Sequence, residues 1–307
     1  MEDLQYISDL SLKLDFYANQ IVEGYINGIH KSPFHGYSSE FSEHRLYNQG
    51  ESTKHIDWKV YARTDKLYTK KYEEETNFRC QFILDNSSSM LYPYPKNYSF
   101  DNLNKLSFSC LAIASLSKIM EKQREAIGLS IYNKDLHLNT EQKSSRRQYS
   151  FIYNQLKNVL SSPQVSDVTT DIGNIDKIIL KLRRRSVVVL FTDLLGNADN
   201  SKLFKTLKHL KFNKHQVILF HVYDSSRELY FNFPNKPMKF TDLETGEQIN
   251  LFSDQHQSEY NTKISQHFKE IKKTCLKYKI NYYDADITKG FYDLINNFMI
   301  KKQYYSY

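Results

Sequence analysis

The sequence has few cysteines and no long apolar run. Its three cysteines, Cys80, Cys110 and Cys275, lie far apart, which argues against a disulfide framework and a cysteine-based zinc site. The longest apolar runs, 110–116 and 187–191, are too short to span a bilayer. The acidic amino terminus lacks the apolar segment of a signal peptide. These absences predict a cytoplasmic protein without a membrane span.

Motifs of common enzyme classes are also absent. The chain contains no G-x-S-x-G nucleophile elbow and no G-x-x-x-x-G-K-[ST] phosphate loop, which argues against hydrolase and ATPase chemistry. Asp85 leaves one enzymatic alternative open, phosphoryl transfer as in haloacid-dehalogenase-like phosphatases. Those enzymes have D-x-D, whereas Ser87 stands at the second acidic position here. Losing that acid/base group removes roughly two to four powers of ten in rate, so we expect no enzymatic activity.

The net charge of +7 is unevenly distributed along the chain. Residues 1–78 hold 9 Lys and Arg against 13 Asp and Glu, whereas residues 79–307 hold 33 against 22. The opposite signs predict that the first part docks on the second. The basic residues are scattered, apart from the run Arg183-Arg184-Arg185, and no nucleic-acid recognition motif accompanies them. Nucleic-acid binding is therefore not expected.

Strand-like and helix-like segments alternate after residue 78. This order is typical of an α/β fold with a doubly wound, mostly parallel sheet. Upstream, residues 9–27 have helical apolar spacing, and residues 66–76 alternate like an extended segment. The predicted strands are 80–84, 126–132, 186–191, 216–223 and 280–284; the predicted helices are 103–123, 147–160, 172–182, 201–212, 258–278 and 290–301; and 228–233 and 239–243 are predicted to pair as a hairpin.

Polar clusters follow two of the predicted strands. Asp85, Ser87 and Ser89 form a D-x-S-x-S loop after the first strand, and Asp193 ends another. Ligands of open α/β sheets bind beyond the carboxyl ends of the strands, and Mg²⁺ prefers oxygen ligands. D-x-S-x-S alone is a weak signal, because the same residues also suit a helix N-cap. From the residues alone, a cation site and a simple cap both remain open.

The complete pattern resembles the metal-ion-dependent adhesion site of the von Willebrand factor A fold, which is Rossmann-like. That site is D-x-S-x-S, followed by a Thr and then by an Asp. Thr170 matches the family's Thr, with Thr169 as the alternative, and Asp193 matches its last Asp. The resemblance implies that Mg²⁺ or Mn²⁺ is bound by Asp85, Ser87, Ser89, Thr170 and Asp193.

A second resemblance covers about residues 10–285. It rests on Gly36-Tyr37-Ser38-Ser39-Glu40-Phe41, Arg45-Leu46-Tyr47, Gly50-Glu51, His55-Ile56-Asp57-Trp58, Ala62-Arg63, Glu73-Glu74-Glu75 and Asp242-Leu243-Glu244-Thr245-Gly246. These blocks are similar to the signature of the bacterial domain-of-unknown-function family 58, in which they lead into a von Willebrand-like metal loop. The chain departs from the family at Glu51, where an Asp is common.

This second resemblance implies a non-catalytic protein-binding module. Its members are similar to proteins encoded beside MoxR-type AAA+ ATPases, so it implies an adaptor or chaperone-like partner of such an ATPase. An acidic side chain of the ATPase or of its substrate is the expected ligand of the metal. The alternative is a structural interaction module whose metal loop stays vacant.

The domain organisation follows from the same observations. We predict an N-terminal family-specific segment at 1–78 and a von Willebrand factor A-like domain at 79–307. Trp58, the only tryptophan, is predicted to pack the first part on the core, and Asp57 is predicted to pair with Arg63.

Overall fold

A computed structural model of the chain describes most of the second part and pieces of the first. The described residues are 13–29, 44–46, 58–70, 78–94, 100, 102–133, 136–161, 173–195, 200–243 and 246–305. The strands are β1 (His44–Leu46), β2 (Tyr68–Lys70), β3 (Arg79–Asp85), β4 (Ala126–Tyr132), β5 (Leu136–Asn139), β6 (Val187–Thr192), β7 (Gln216–Tyr223), β8 (Pro237–Thr241), β9 (Gln248–Phe252) and β10 (Asn281–Asp286).

Eight α-helices accompany these strands in the described residues. A 3₁₀ turn at Ser88–Leu91 and a π-helical turn at Ser225–Leu229 add to them. None of the described helices is long and apolar enough to cross a bilayer. The α-helices are α1 (Leu14–Ile29), α2 (Trp58–Thr64), α3 (Lys105–Lys122), α4 (Arg146–Ser161), α5 (Gly173–Ile179), α6 (Asn200–Phe212), α7 (Ser253–Lys277) and α8 (Tyr292–Tyr305).

The centre of the fold is a six-stranded sheet of order β10-β7-β6-β3-β4-β5. Five strands run parallel, and β5 pairs antiparallel with β4 at one edge. The predicted α/β class with a doubly wound, mostly parallel sheet is therefore confirmed. Strand β5 was not predicted from the sequence, because its four residues Leu-His-Leu-Asn give too short a pattern and are not fully buried.

Helices cover both faces of the sheet. Alternate strand residues face opposite sides, so Phe82 packs in one apolar cluster with α1, α3, α4 and α8, whereas Ile83 packs in another with α5, α6 and α7. Every residue of β6 is buried, as expected for a central strand covered on both faces. This explains why the inner strands have near-continuous apolar sequences instead of alternating ones.

The N-terminal helix α1 packs on this α/β core. Leu14, Ala18 and Val22 are buried in the cluster that contains α3, and Asp15 pairs with Lys157 of α4 at 2.7 Å. The predicted boundary at residue 78 remains a prediction.

The packing predicted for Trp58 is wrong. Its side chain is 61% exposed and contacts Tyr61 edge to face, with ring centroids 6.1 Å apart. Tyr61, on the same short helix α2, is also exposed. Asp57 and the run Glu73–Glu75 lie outside the described residues.

The predicted hairpin is also wrong. Its first predicted strand overlaps the π-helical turn, and the observed hairpin pairs β8 with β9. The Asp242 N–H donates to the Glu247 carbonyl at 2.8 Å, and the Gly246 N–H donates to the Asp242 carbonyl at 2.9 Å. Gly246 has a φ of +73°, a left-handed conformation that glycine adopts without strain. The turn lies there and not at Pro234–Pro237.

Candidate functional site

The candidate site lies where the strand order reverses. From β3 the chain passes to β4 on one side and then returns to β6, β7 and β10 on the other. The crevice between the carboxyl ends of β3 and β6 is therefore the switch point at which ligands of such sheets bind. Asp85 ends β3 and Asp193 directly follows β6, so both predicted carboxylates lie at this crevice. Thr170 and its alternative Thr169 are outside the described residues.

Both carboxylate oxygens of Asp85 accept hydrogen bonds from the protein. Oδ1 accepts from the backbone N–H of Ser87 at 3.0 Å, and Oδ2 accepts from the hydroxyl of Thr192 at 2.7 Å. Asp85 thereby fixes the loop that follows β3 and ties it to the end of β6. Burial, followed by the negative charge of Asp193, raises the pKa of Asp85 to about 6.

The two serines of the loop converge on the same point. The Ser87 and Ser89 hydroxyl oxygens lie 3.0 Å apart, and the Ser89 hydroxyl is near enough to Asp193 to help lower the pKa of that carboxyl group. Asp85, Ser87 and Asp193 are buried, whereas Ser89 is partly exposed. Four of the five predicted residues thus form one cluster, with Ser89 nearest to solvent.

A buried lysine completes this cluster, and no motif in the sequence indicated it. The Lys105 ammonium donates to Asp193 Oδ2 at 2.7 Å and to Glu228 Oε1 at 2.5 Å, and all three side chains are buried. Burial alone lowers the pKa of Lys105, but the two carboxylates reverse this and hold that pKa above its usual value. Lys105 likewise keeps the pKa of Asp193 below its usual value against the effect of burial.

Helix α3 and the π-helical turn position these two additional residues. Asn104 caps α3 through a capping box with Ser107, which places Lys105 at the first helical position. Glu228 lies in the π-helical turn after β7, where its Oε2 accepts from the Asp224 N–H at 2.8 Å. Burial raises the pKa of Glu228 despite the nearby lysine. A Lys that starts an apolar helix was the only sequence signal for this contact.

His221 forms a hydrogen bond with the backbone of Asp193. Its Nε2 lies 2.7 Å from the Asp193 carbonyl oxygen, and its Nδ1 lies 2.8 Å from the Tyr282 hydroxyl. Burial lowers the pKa of His221 to about 4, so the ring is neutral at pH 7. Because a carbonyl only accepts, Nε2 carries the hydrogen.

The donor set fits a hard divalent cation. The hydroxyls of Ser87 and Ser89 are close enough to share one ion. Burial is the main cause of the raised pKa of Asp85, and the second is repulsion by Asp193, which a cation would relieve. Both carboxylates already accept hydrogen bonds, so they suit contacts made through water. Within the described residues, no group of three or more His, Cys, Asp or Glu side chains is arranged to hold a metal, and the predicted set has only two carboxylates.

Proteins of known sequence are similar to this chain over most of its length. An uncharacterised protein of Mycobacterium bovis is 22% identical over 213 residues, which cover 69% of this chain and 63% of that relative. The chain thus spans less than two thirds of the length of the curated relatives it matches.

Solved structures resemble the chain as well. The conserved hypothetical protein BatB of Bacteroides thetaiotaomicron is 16% identical, covering 73% of this chain and 98% of its own, with a TM-score of 0.44. The SpRpn10 VWA domain is 15% identical, covering 48% and 76%, with a TM-score of 0.35.

The family model described as "Protein of unknown function DUF58" matches residues 43–270, about three quarters of the chain. This match spans the D-x-S-x-S loop, the lysine that completes the site and the π-helical turn. The chain therefore belongs to the DUF58 family.

Proposed function

We propose that this protein is a non-catalytic, metal-dependent protein-binding module that acts in the cytoplasm. The observation that carries the proposal is the convergence of Asp85, Ser87, Ser89 and Asp193 at the switch point of the sheet. Ser87, Ser89 and Thr170 would hold Mg²⁺ or Mn²⁺ through hydroxyls, and Asp85 and Asp193 would act through water. The bound ion would supply a positive charge at the partly exposed end of the cluster.

The ligand of this ion would be an acidic side chain of a partner. Hydroxyl ligands are neutral, and both carboxylates are engaged by protein donors, so the charge of the ion is not fully compensated at close range. A carboxylate from another chain would compensate it. The family resemblance favours a MoxR-type AAA+ ATPase, or a substrate delivered to one, as the source of that carboxylate.

Lys105 favours a second candidate, an interaction module that uses no metal. Its ammonium lies 2.7 Å from Asp193 and balances the charge of this carboxylate, so the loop would need no ion for that purpose. Phosphoryl transfer through Asp85 has less support, because both oxygens of this side chain accept hydrogen bonds within the protein.

Metal binding distinguishes the two candidates. Titration of the full chain with Mn²⁺, followed by electron paramagnetic resonance, should show one site that Ser87→Ala weakens at least tenfold. Ser88→Ala is the matched control, because this adjacent serine stands at a variable position of the D-x-S-x-S pattern, and the variant should bind Mn²⁺ as the wild type does. Equal binding by wild type and Ser87→Ala would refute the metal site.

Capture from a cell lysate then tests the partner. The tagged chain should enrich an AAA+ ATPase in the presence of Mg²⁺ and lose it in EDTA or with Ser87→Ala. Recovery of the same ATPase under all three conditions would support the metal-independent module instead.

A further inference from the structure

Three large apolar side chains project almost fully into solvent. Leu180 is 85% exposed, Phe212 is 83% exposed and Leu276 is 80% exposed. The next value among the described large apolar residues is 64%, at Phe16. Single exposed apolar residues are common on soluble proteins, so the significance of these three depends on where they lie.

All three lie at the same end of the fold. They stand at the carboxyl ends of α5, α6 and α7, which lie on one face of the sheet and lead into β6, β7 and β10. Those strands are parallel neighbours, so the helix ends meet at their amino-terminal edge. The Thr206 hydroxyl donates to Asp176 at 2.9 Å between α5 and α6. The Lys208 ammonium lies 5.7 Å from the Tyr278 ring centroid beside α7.

The same end is strongly basic. Residues 181–185 contain four Lys and Arg, residues 208–214 three and residues 273–279 three, and none of these ranges contains Asp or Glu. We call these three ranges, together with Leu180, the basic pole. No described carboxylate forms an ion pair with any of its cations. Burial and the nearby charge of Lys279 lower the pKa of Lys211, as expected for cations without counter-charges.

Helix capping alone does not explain this surface. Cations in the last turn interact favourably with the helix dipole, but that effect does not account for apolar side chains in water. In addition, Arg185, Lys214 and Lys279 have φ values of 60°, 64° and 56°. Glycine is the usual residue at such left-handed positions after a helix, so a cationic side chain is kept here against a local conformational cost.

We propose that the basic pole binds the surface of an anionic phospholipid bilayer. The cations would contact lipid phosphates, while Leu180, Phe212 and Leu276 would enter the boundary between headgroups and acyl chains. A combination of exposed basic and apolar residues is typical of interfacial binding. A nucleic acid would use the cations but leave two leucines in water. The surface lies at the opposite edge of the sheet from Asp85, so this inference does not depend on the metal site.

Vesicle sedimentation of the full chain tests the proposal. Vesicles of phosphatidylcholine with about 30% phosphatidylglycerol should bind the chain, and pure phosphatidylcholine should bind it at least tenfold more weakly. Arg184→Gln/Lys277→Gln removes two exposed cations and leaves the left-handed positions unchanged. This double variant should bind the anionic vesicles about 30-fold more weakly, at about 1 kcal/mol for each cation. Phe212→Ser/Leu276→Ser should weaken binding by about 100-fold, at roughly tenfold for each side chain.

Matched control variants lie on the β8–β9 hairpin, at the other end of the 25-residue helix α7. Ile249→Ser removes another exposed apolar side chain, and Lys236→Gln/Lys239→Gln removes two other exposed cations. Both should bind within about twofold of the wild type. Equal losses in control and basic-pole variants would overturn the proposal, as would equal binding to both kinds of vesicle. Tighter binding to a single-stranded oligonucleotide than to anionic vesicles, lost in the charge variant alone, would assign the pole to nucleic acid.

Discussion

Replacing Lys105 with methionine tests whether this side chain balances the charge of the candidate site. Methionine keeps most of the aliphatic volume but removes the ammonium that lies 2.7 Å from Asp193 and 2.5 Å from Glu228. The variant leaves two buried carboxylates without their cation, whereas the helix cap at Asn104 and Ser107 is unchanged.

The expected magnitude follows from burial. Removing one partner of a buried ion pair costs about 3–5 kcal/mol, because the remaining charge stays desolvated. For a chain of this size, each kcal/mol lowers the Tm by about 2 °C. Lys105→Met should therefore lower the Tm by about 6–10 °C. Adding Glu228→Gln removes one of the two uncompensated charges, so the double variant should recover about 1–3 kcal/mol.

Urea unfolding measures the changes in the free energy of unfolding, and thermal unfolding measures the change in Tm. Both are done in EDTA, so that no metal ion stabilises the folded chain. Lys118→Met is the matched control, since Lys118 lies on the same helix and forms a partly exposed pair with Glu121 at 3.6 Å. Such pairs contribute about 0–1 kcal/mol. A loss at Lys105 no larger than the loss at Lys118 would refute the role of Lys105 in charge balance.

Three further predictions concern the stability of the protein. Burial lowers the pKa of His221 from 6.5 to about 4, so folding favours the neutral ring. The stabilisation of the folded state by this residue is therefore complete above pH 6.5 and is lost as the pH falls towards 4. His221→Gln should remove about 3 kcal/mol of that pH dependence in unfolding titrations. Gly128→Ala should cost about 1–3 kcal/mol in urea unfolding, because a Cβ would lie 2.3 Å from the Gln81 side chain. A chain of residues 79–307 should be insoluble or melt lower, since it exposes the surface buried by Leu14; an unchanged Tm would contradict this.

The order of helices and strands was largely predictable from the sequence. The predicted strands at 126–132 and 216–223 match β4 and β7 residue for residue, because apolar runs between helical segments leave little ambiguity. The hairpin was misplaced because two prolines at 234–237 gave a stronger turn signal than Gly246. Both sites are plausible turns when the sequence is read locally. The antiparallel pairing of β8 with β9 places the turn at Gly246.

The candidate site was predictable only in part. Asp85, Ser87, Ser89 and Asp193 follow a spacing that can be read along the chain, and the fold brings them together. Lys105 and Glu228 are 123 residues apart and belong to no motif. Their contact depends on how α3 and the π-helical turn pack at the same end of the sheet. Tertiary contacts of this kind leave no periodic signal in a single sequence.

The polarity of a parallel sheet explains why the two proposed surfaces differ in charge. Helices that connect parallel strands begin near the carboxyl ends of the strands and end near their amino ends. Their dipoles therefore favour anions at the first edge and cations at the second. Asp85, Asp193 and Glu228 lie at the first edge, whereas the cations of the basic pole lie at the second. A domain with 33 Lys and Arg against 22 Asp and Glu thus keeps buried carboxylates at one end. Under the two proposals, an acidic protein ligand would need a cation to bind at that end, whereas an anionic surface would bind the opposite end without one.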